Sequence, residues 1–204
     1  MKTYPLLSLL LLVSAPISAQ VPLFADGLER WSLENSDPGS FAFEQGVLRV
    51  SGDAGWLRSP EMPGNFELRG EVRFVEPDSD SGIFLRVQPG TEFIRGWPGN
   101  AYQVQMRDIS VNGSDSPLPL ANLYRHRVAD GPTDYQREQV FELYSGVGDW
   151  QLFVIRAEGG ALTVDLNDVR VTEASGLVNP TGYIGFQSEV GIVEYRNLEL
   201  RELP

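Results

Sequence analysis

Hydrophobic and polar residues alternate with period two in short runs along most of this chain, and a helical period is almost nowhere sustained. The clearest run is Phe66–Phe74, with Phe66, Leu68, Val72 and Phe74 on one face and Glu67, Arg69, Glu71 and Arg73 on the other. A strand with one buried face requires this pattern, because successive side chains of extended backbone point to opposite sides. Comparable runs occupy Phe41–Val50 around a Gln45-Gly46 turn, Gly82–Val87, Ala101–Arg107, Trp150–Ala157, Ala161–Leu166, Tyr183–Gln187 and Ile192–Leu200. Punctuated by 21 glycines and 14 prolines, these short strands predict an all-β sandwich or jelly roll of antiparallel strands. Ile109–Gln139 breaks the pattern. It is polar and turn-rich, with Asn112-Gly113, Asp130-Gly131-Pro132 and the sole histidine, His126. Long loops in compact domains are usually functional or disordered, so a site is expected there first.

Alternation also sorts the polar side chains. In Ser81–Val87, Ile83 and Leu85 oppose Phe84 and Arg86; in Ala101–Arg107, Tyr102, Val104 and Met106 oppose Gln103, Gln105 and Arg107; near the end, Ile184 and Phe186 oppose Gln187. With the apolar faces packed inward, one concave outer face is expected to gather Glu71, Arg86, Gln103, Gln105 and Gln187, bordered by Trp97, Tyr102 and Tyr124. Amides and a guanidinium offer paired donors and acceptors to vicinal hydroxyls, and aromatic rings lie flat on the C–H faces of a sugar. The set is therefore a candidate carbohydrate site. The same residues equally suit an ordinary solvated sheet face, with Glu71 paired to Arg69, Arg73 or Arg86.

The N-terminus reads as an address. Lys2 is followed by the apolar run Leu6–Val13 and the small-residue stretch Ser14–Ala19, so residues 1–19 are expected to be a signal peptide and residues 20–204 a single exported domain, periplasmic or extracellular. The apolar run is too short to span a bilayer and no cysteine follows the cut, so no membrane anchor is expected. A net charge of −12 disfavours a nucleic-acid partner, whose phosphates are bound through Lys and Arg. With no cysteine and one histidine, thiol chemistry, Cys-ligated zinc and His-rich metal sites are excluded, and neither cofactor nor metal is expected. Lys2 is the only lysine, so the exported domain holds none for Schiff-base chemistry. Asp78-Ser79-Asp80-Ser81-Gly82 opens like a calcium loop but lacks the closing glutamate and reads as an acidic turn. Asn112-Gly113-Ser114 matches a glycosylation sequon.

A set of short motifs occurs in order: Leu23-Phe24-Ala25-Asp26-Gly27-Leu28 with Trp31, Phe66-Glu67-Leu68-Arg69 with Glu71, Ser81-Gly82-Ile83-Phe84-Leu85-Arg86, Tyr102-Gln103-Val104-Gln105 with Asp108, Leu123-Tyr124, Asp149-Trp150, Val164-Asp165-Leu166-Asn167, Gly182–Gln187 and Glu194-Tyr195-Arg196-Asn197-Leu198. In this the chain resembles the 3-keto-disaccharide hydrolase family. The resemblance implies a concanavalin-A-like jelly roll of two antiparallel sheets and an exported protein acting on an oxidised sugar. Three positions depart from the family pattern: Gln103 where members commonly have Glu, Gln151 where Asn is usual, and Asp168 where Gly is usual. Gln103 cannot serve as a base, whereas the last two look like drift at turns or edges.

The resemblance also implies a chemistry. A ketone at C3 of a sugar acidifies the C2 proton, the glycosidic oxygen at C1 leaves by elimination, and water adds to the enone. Such a route needs a base at C2, a cation or donors at the developing enolate oxygen, and an acid at the leaving oxygen. Glu71 is the first candidate base, Asp108 the second and His126 the third, while Arg86 suits the enolate oxygen. Asp108 faces away from Gln105 by strict alternation and joins the site only through a bulge, and a loop histidine between Arg125 and Arg127 is often a surface residue. The partner is then a small carbohydrate or glycan, and the alternative function is a non-catalytic carbohydrate-binding module of the same fold.

Overall fold

The run Phe66–Phe74 is a strand over its whole length, with its apolar residues fully buried and Glu67, Arg69, Glu71 and Arg73 turned the other way. The computed structural model describes residues 19–111 and 119–204. The expected leader lies outside these apart from Ala19, as does the Asn112 sequon. In chain order the elements are β1 (Val21–Pro22), β2 (Ser32–Glu34), β3 (Phe41–Glu44), β4 (Val47–Ser51), β5 (Gly55–Arg58), β6 (Phe66–Phe74), β7 (Asp80–Val87), β8 (Phe93–Ile94), β9 (Trp97–Pro98), β10 (Ala101–Arg107), β11 (Leu123–His126), β12 (Thr133–Tyr135), α1 (Arg137–Leu143), β13 (Gln151–Glu158), β14 (Ala161–Leu166), β15 (Val169–Ala174), β16 (Tyr183–Ser188) and β17 (Ile192–Glu202).

Two antiparallel sheets result. A nine-stranded sheet runs β12-β15-β14-β13-β6-β17-β4-β3 with β1 added on β17, and a six-stranded sheet runs β11-β10-β7-β16-β5-β2. Leu68, Val72, Phe74, Phe153, Ile155 and Val164 of the first meet Ile83, Leu85, Tyr102, Val104, Ile184 and Phe186 of the second in one core. Burial of each such side chain contributes about 1.5–3 kcal/mol, which is why the apolar phase of every strand sets its inward face. The expected jelly-roll sandwich is what forms.

Some elements escape the period-two pattern for a physical reason. In β5, Gly55, Trp56 and Leu57 are all buried, so the strand carries no polar alternation to read. In β15 a register shift opposite Val164 and Asp165 leaves both Val171 and Thr172 buried. Between β14 and β15, Asn167 and Asp168 adopt φ of +48° and +64°, the two-residue turn that favours glycine at such positions. The departure at Asp168 is therefore a turn position.

Candidate active site on the six-stranded sheet

The register of β10 fixes what faces outward on the smaller sheet. Gln103 stands opposite Phe84 on one side and Tyr124 on the other, and Gln105 stands opposite Gly82. Gln187 stands opposite Trp56, and His126, two residues beyond Tyr124 on β11, shares the face of Tyr124. The inward phase of the same strands, Tyr102, Val104, Ile83 and Phe186, is in the core.

The outward amides are joined into a chain. Gln103 Nε2 donates to Gln105 Oε1 at 2.6 Å and to Gln187 Oε1 at 2.8 Å. Gln105 Nε2 donates to Asp80 Oδ1, and Gln187 Nε2 donates to Glu189 Oε2 at 2.8 Å. At the centre, Gln103 Oε1 lies 2.6 Å from His126 Nε2. Gly82 lies beneath this junction, where an added Cβ would come within 2.3 Å of Gln103 Nε2 and 2.8 Å of Gln187 Oε1. The absence of a side chain at position 82 makes the room the amides occupy. Gln103, Gln105 and Gln187 are almost fully buried, while His126, Tyr124, Arg107 and Glu189 are partly buried and form the edge of the network toward solvent.

The ends of the chain are ionisable. Asp80, 4% exposed, has its carboxyl pushed up to about 8, first by burial and then by the charge of Glu189, against the opposing pull of Arg107. Arg107 Nη1 is 3.2 Å from Asp80 Oδ2 and Arg107 Nη2 donates to Asp78 at 2.7 Å. Burial also raises the Glu189 carboxyl, with Arg107 and Gln187 acting in the other direction. Burial holds the His126 imidazole below its ordinary value, so it is neutral at pH 7, and the Phe84 ring meets it edge-on at 5.7 Å. Burial likewise raises the Tyr124 hydroxyl, which stays protonated.

Beside this network the β8–β9 hairpin carries Trp97 onto an apolar cluster of Trp56, Phe84, Val87 and Ala101, with Trp97 Nε1 donating to Ser188 O at 3.4 Å. A cleft of about 240 Å³ opens next to it, between Glu34, Trp56, Arg58, Tyr183 and Phe93. Arg58 lies over the Tyr183 ring at 4.4 Å and donates to Glu34 at 2.6 Å. A flat aromatic surface edged by a guanidinium and a carboxylate suits a polyhydroxylated ring.

Four of the residues expected at the site lie elsewhere. Glu71 is on the outer face of the nine-stranded sheet, where Arg196 opposite it on β17 donates two hydrogen bonds of 2.9 Å and Asn197 a third of 2.6 Å. The Arg196 hydrogen bond is the main reason its carboxyl is held below the usual range, the opposite of what a base near neutrality needs. Arg86 breaks phase because it sits at φ +49°, within an irregularity between β7 and β16. There Gly182 approaches its carbonyl carbon so closely that an added Cβ would lie 2.2 Å away. The Arg86 guanidinium turns away from the glutamines and donates to the carbonyls of Gly64 at 3.0 Å, Gly159 at 2.6 Å and Asn179 at 3.0 Å, tying loops of both sheets together. Tyr102 is in the core, its hydroxyl accepting from Val178 N at 2.7 Å. Asp108, fully buried, accepts from Asp78 N, from Ser110 and from the Tyr144 hydroxyl. Burial alone would raise its carboxyl, but these bonds more than offset that and hold it low.

The structure thus brings together Gln103, Gln105, Gln187, Tyr124 and His126, with Trp97 against the adjoining apolar cluster, and adds Asp80, Glu189 and Arg107. The added three share the phase of residues already singled out: Asp80 is two before Gly82, Glu189 two after Gln187 and Arg107 two after Gln105. Arg107 was already in the outward phase of its strand, and extending the other two strands by one step of their period would have found Asp80 and Glu189. Among the described residues no group of three or more His, Cys, Asp or Glu is placed to hold a metal ion, and no helix there is long and apolar enough to cross a membrane.

A family profile described as the 3-keto-alpha-glucoside-1,2-lyase-like domain matches residues 20–201. No curated protein sequence matches significantly. Among solved structures, a protein classed as a glycosyl hydrolase from Parabacteroides distasonis is similar, with a TM-score of 0.69, 19% identity and coverage of 91% of this chain and 100% of that one. The carbohydrate binding module CBM66 from Bacillus subtilis follows at a TM-score of 0.58, 12% identity and coverage of 85% and 96%. A β-glucanase from Bacillus licheniformis gives 0.57, 9%, and coverage of 94% and 100%. At these identities the likeness is one of fold.

Proposed function

The chain belongs to the 3-keto-alpha-glucoside-1,2-lyase-like family, and from that premise we propose that it is an exported carbohydrate-active enzyme that cleaves 3-keto-glycosides at the outer face of the six-stranded sheet. One observation carries the reading. Of the three acid–base candidates, His126 alone stands on the amide face, bonded to Gln103 and accompanied there by the carboxyls of Asp80 and Glu189. Sugar binding requires only donors, acceptors and flat surfaces. A neutral imidazole on the same face as two carboxyls of raised pKa supplies proton transfer near neutral pH as well.

The roles follow from exposure and charge. His126, neutral and partly buried at the edge of the network, takes the C2 proton of the sugar. Tyr124, on the same strand face at about 7 Å, the two-residue repeat of a strand, donates its hydroxyl to the C3 oxygen as that oxygen becomes an enolate. The spacing brackets a pyranose ring. Glu189 protonates the departing glycosidic oxygen, leaving a 1,2-unsaturated ketone. Water then adds at C1, its proton passing to the Glu189 carboxylate, and His126 returns the first proton to C2, so the net change is hydrolysis. Arg107 stays charged beside Asp80 and steadies the carboxyl end of the network.

Incubating the purified protein with a panel of 3-keto-disaccharides and their unoxidised parents tests the reading. Cleavage of oxidised members alone is the expected result. A protein that binds the sugars in the cleft of Trp56, Arg58 and Tyr183 yet cleaves none of them is instead a carbohydrate-binding module, the reading that the neutral Gln103 favours.

A further inference from the structure

We infer that Gln103 is a positioning residue that fixes the ring tautomer of His126, with the proton on Nε2 and the lone pair on Nδ1, and that Asp80 and Glu189 at the far ends of the amide chain dictate the orientation of Gln103. The inference deepens the reading of His126 as proton acceptor, and its test needs no substrate.

The orientation propagates by elimination. An ionised carboxylate only accepts hydrogen bonds, and a protonated carboxyl still accepts through the oxygen that carries no proton. Because Asp80 Oδ1 and Glu189 Oε2 accept, Gln105 and Gln187 each turn their amide nitrogen toward a carboxyl group and their carbonyl oxygen toward Gln103. Those two oxygens, 2.6 Å and 2.8 Å from Gln103 Nε2, engage both of its N–H groups. Gln103 then has only its carbonyl left, 2.6 Å from His126 Nε2, and a carbonyl oxygen accepts but never donates, so the ring nitrogen is the donor. The imidazole must therefore carry its proton on Nε2, which leaves the Nδ1 lone pair as the basic site.

Turning any amide over would set oxygen against oxygen. The three glutamines are 2–3% exposed, so water cannot relieve the mismatch, and each buried polar group left unpaired costs about 1–3 kcal/mol. Two anchors make the setting redundant. Protonation of Asp80 leaves the Glu189 branch in place, because the proton that Glu189 delivers to the sugar is carried on Oε1 while Oε2 still accepts from Gln187. Phe84, edge-on at 5.7 Å, packs against the ring. The charged residues flanking His126 are otherwise engaged: Arg125 donates to Ser175 O at 2.7 Å and Arg127 to Glu92 at 3.1 Å. Tyr124 shares its strand face, and among the described residues no carboxylate touches the ring. A glutamate at position 103 would place one there and stabilise the imidazolium. The amide keeps the ring neutral and directional.

The chain has one histidine, so nitrogen NMR of protein labelled with ¹⁵N-histidine reads a single imidazole. The expected spectrum near pH 7 has a pyridine-type Nδ1 and a pyrrole-type Nε2. In Gln103→Leu the two tautomers mix and both nitrogens move to averaged shifts; in Gln103→Glu the midpoint of ring titration rises by about 1–3 units. An Nδ1–H or averaged spectrum in the unmodified protein overturns the inference, as does a Gln103→Leu spectrum identical to it or an unmoved midpoint in Gln103→Glu. The unmodified protein alone suffices to refute it should a variant not fold. A fixed Nε2–H tautomer in a protein that cleaves no 3-keto-sugar defeats the enzyme reading and leaves this one standing. The reverse tautomer with cleavage intact does the opposite.

Discussion

The two sheets present polar outer faces built from the same alternation, and the faces are electrostatic opposites. On the nine-stranded sheet, Glu71 meets Arg196, Glu194 meets Arg49 and Arg73, and Glu67 meets Arg201 and Arg156. Trp150 lies beneath the guanidinium groups of both Arg73 and Arg196. On the six-stranded sheet the central groups are neutral amides, with the carboxyls of Asp80 and Glu189 at the ends of their chain. The consequence is seen in two carboxyls. Glu71, beside a guanidinium, is held low, whereas Asp80, buried where Glu189 opposes its ionisation, rises to about 8. A carboxylate tied to arginine is a structural clasp. A carboxyl raised toward neutrality is available for proton chemistry.

The largest expected effect contrasts one residue from each face. His126→Gln should lower turnover of a 3-keto-disaccharide about 10²–10⁴-fold, the usual worth of a positioned base, while Glu71→Gln leaves turnover unchanged. Equal losses in the two variants would erase the distinction between the faces. Next is Arg86, an arginine withdrawn from both faces. Arg86→Met should lower stability by about 3 kcal/mol or more, because the carbonyls of Gly64, Gly159 and Asn179 lose a charged donor. Urea unfolding measures this, and a midpoint close to that of the parent would show that the loops hold without it.

Gly82→Ala adds one methyl where the amides leave no room and should cost about 1–3 kcal/mol by overpacking. It should also disturb the His126 nitrogen shifts, which an alanine placed on the other face would not move. The last effect is spread across pH as a slope. Asp80 keeps its proton in the folded state up to about pH 8, against 3.8 for the ordinary group. The folded protein therefore binds the extra proton in that window, and stability falls as pH rises through it, by at most about 1.4 kcal/mol per unit. Asp80→Asn should flatten the profile between those limits in denaturation measured across pH. Glu71 has the opposite sign. Its contribution is present above its unfolded value and is lost on acidification through its lowered folded value.

Much of the fold was legible from side-chain period alone. Phe66–Phe74, Ala101–Arg107 and Ala161–Leu166 are strands over the residues expected, and Gln103, Gln105 and Gln187 do share a face. The doubly covered β5 hid itself, since a strand buried on both sides has no polar phase. Part of the stretch 109–139, expected as loop, is the edge strand β11, which carries Tyr124 and His126 to the amide face.

What the sequence by itself determined is local: which positions alternate, where turns fall, and which residues lie on the same side of one strand. Extended backbone imposes that period on every strand without reference to its neighbours. Which strands adjoin, and where a bulge inverts the phase, was decided only by the tertiary structure. Glu71 and Gln103 have the same outward phase yet belong to different sheets, and Arg86 loses its phase where Gly182 presses on its backbone. A carboxyl's proton affinity follows from those decisions, because it depends on burial and on the charge opposite. Arg196 stands across from Glu71, whereas the Gln105 amide and Arg107 reach Asp80, through pairings between residues far apart in the chain that no local pattern specifies.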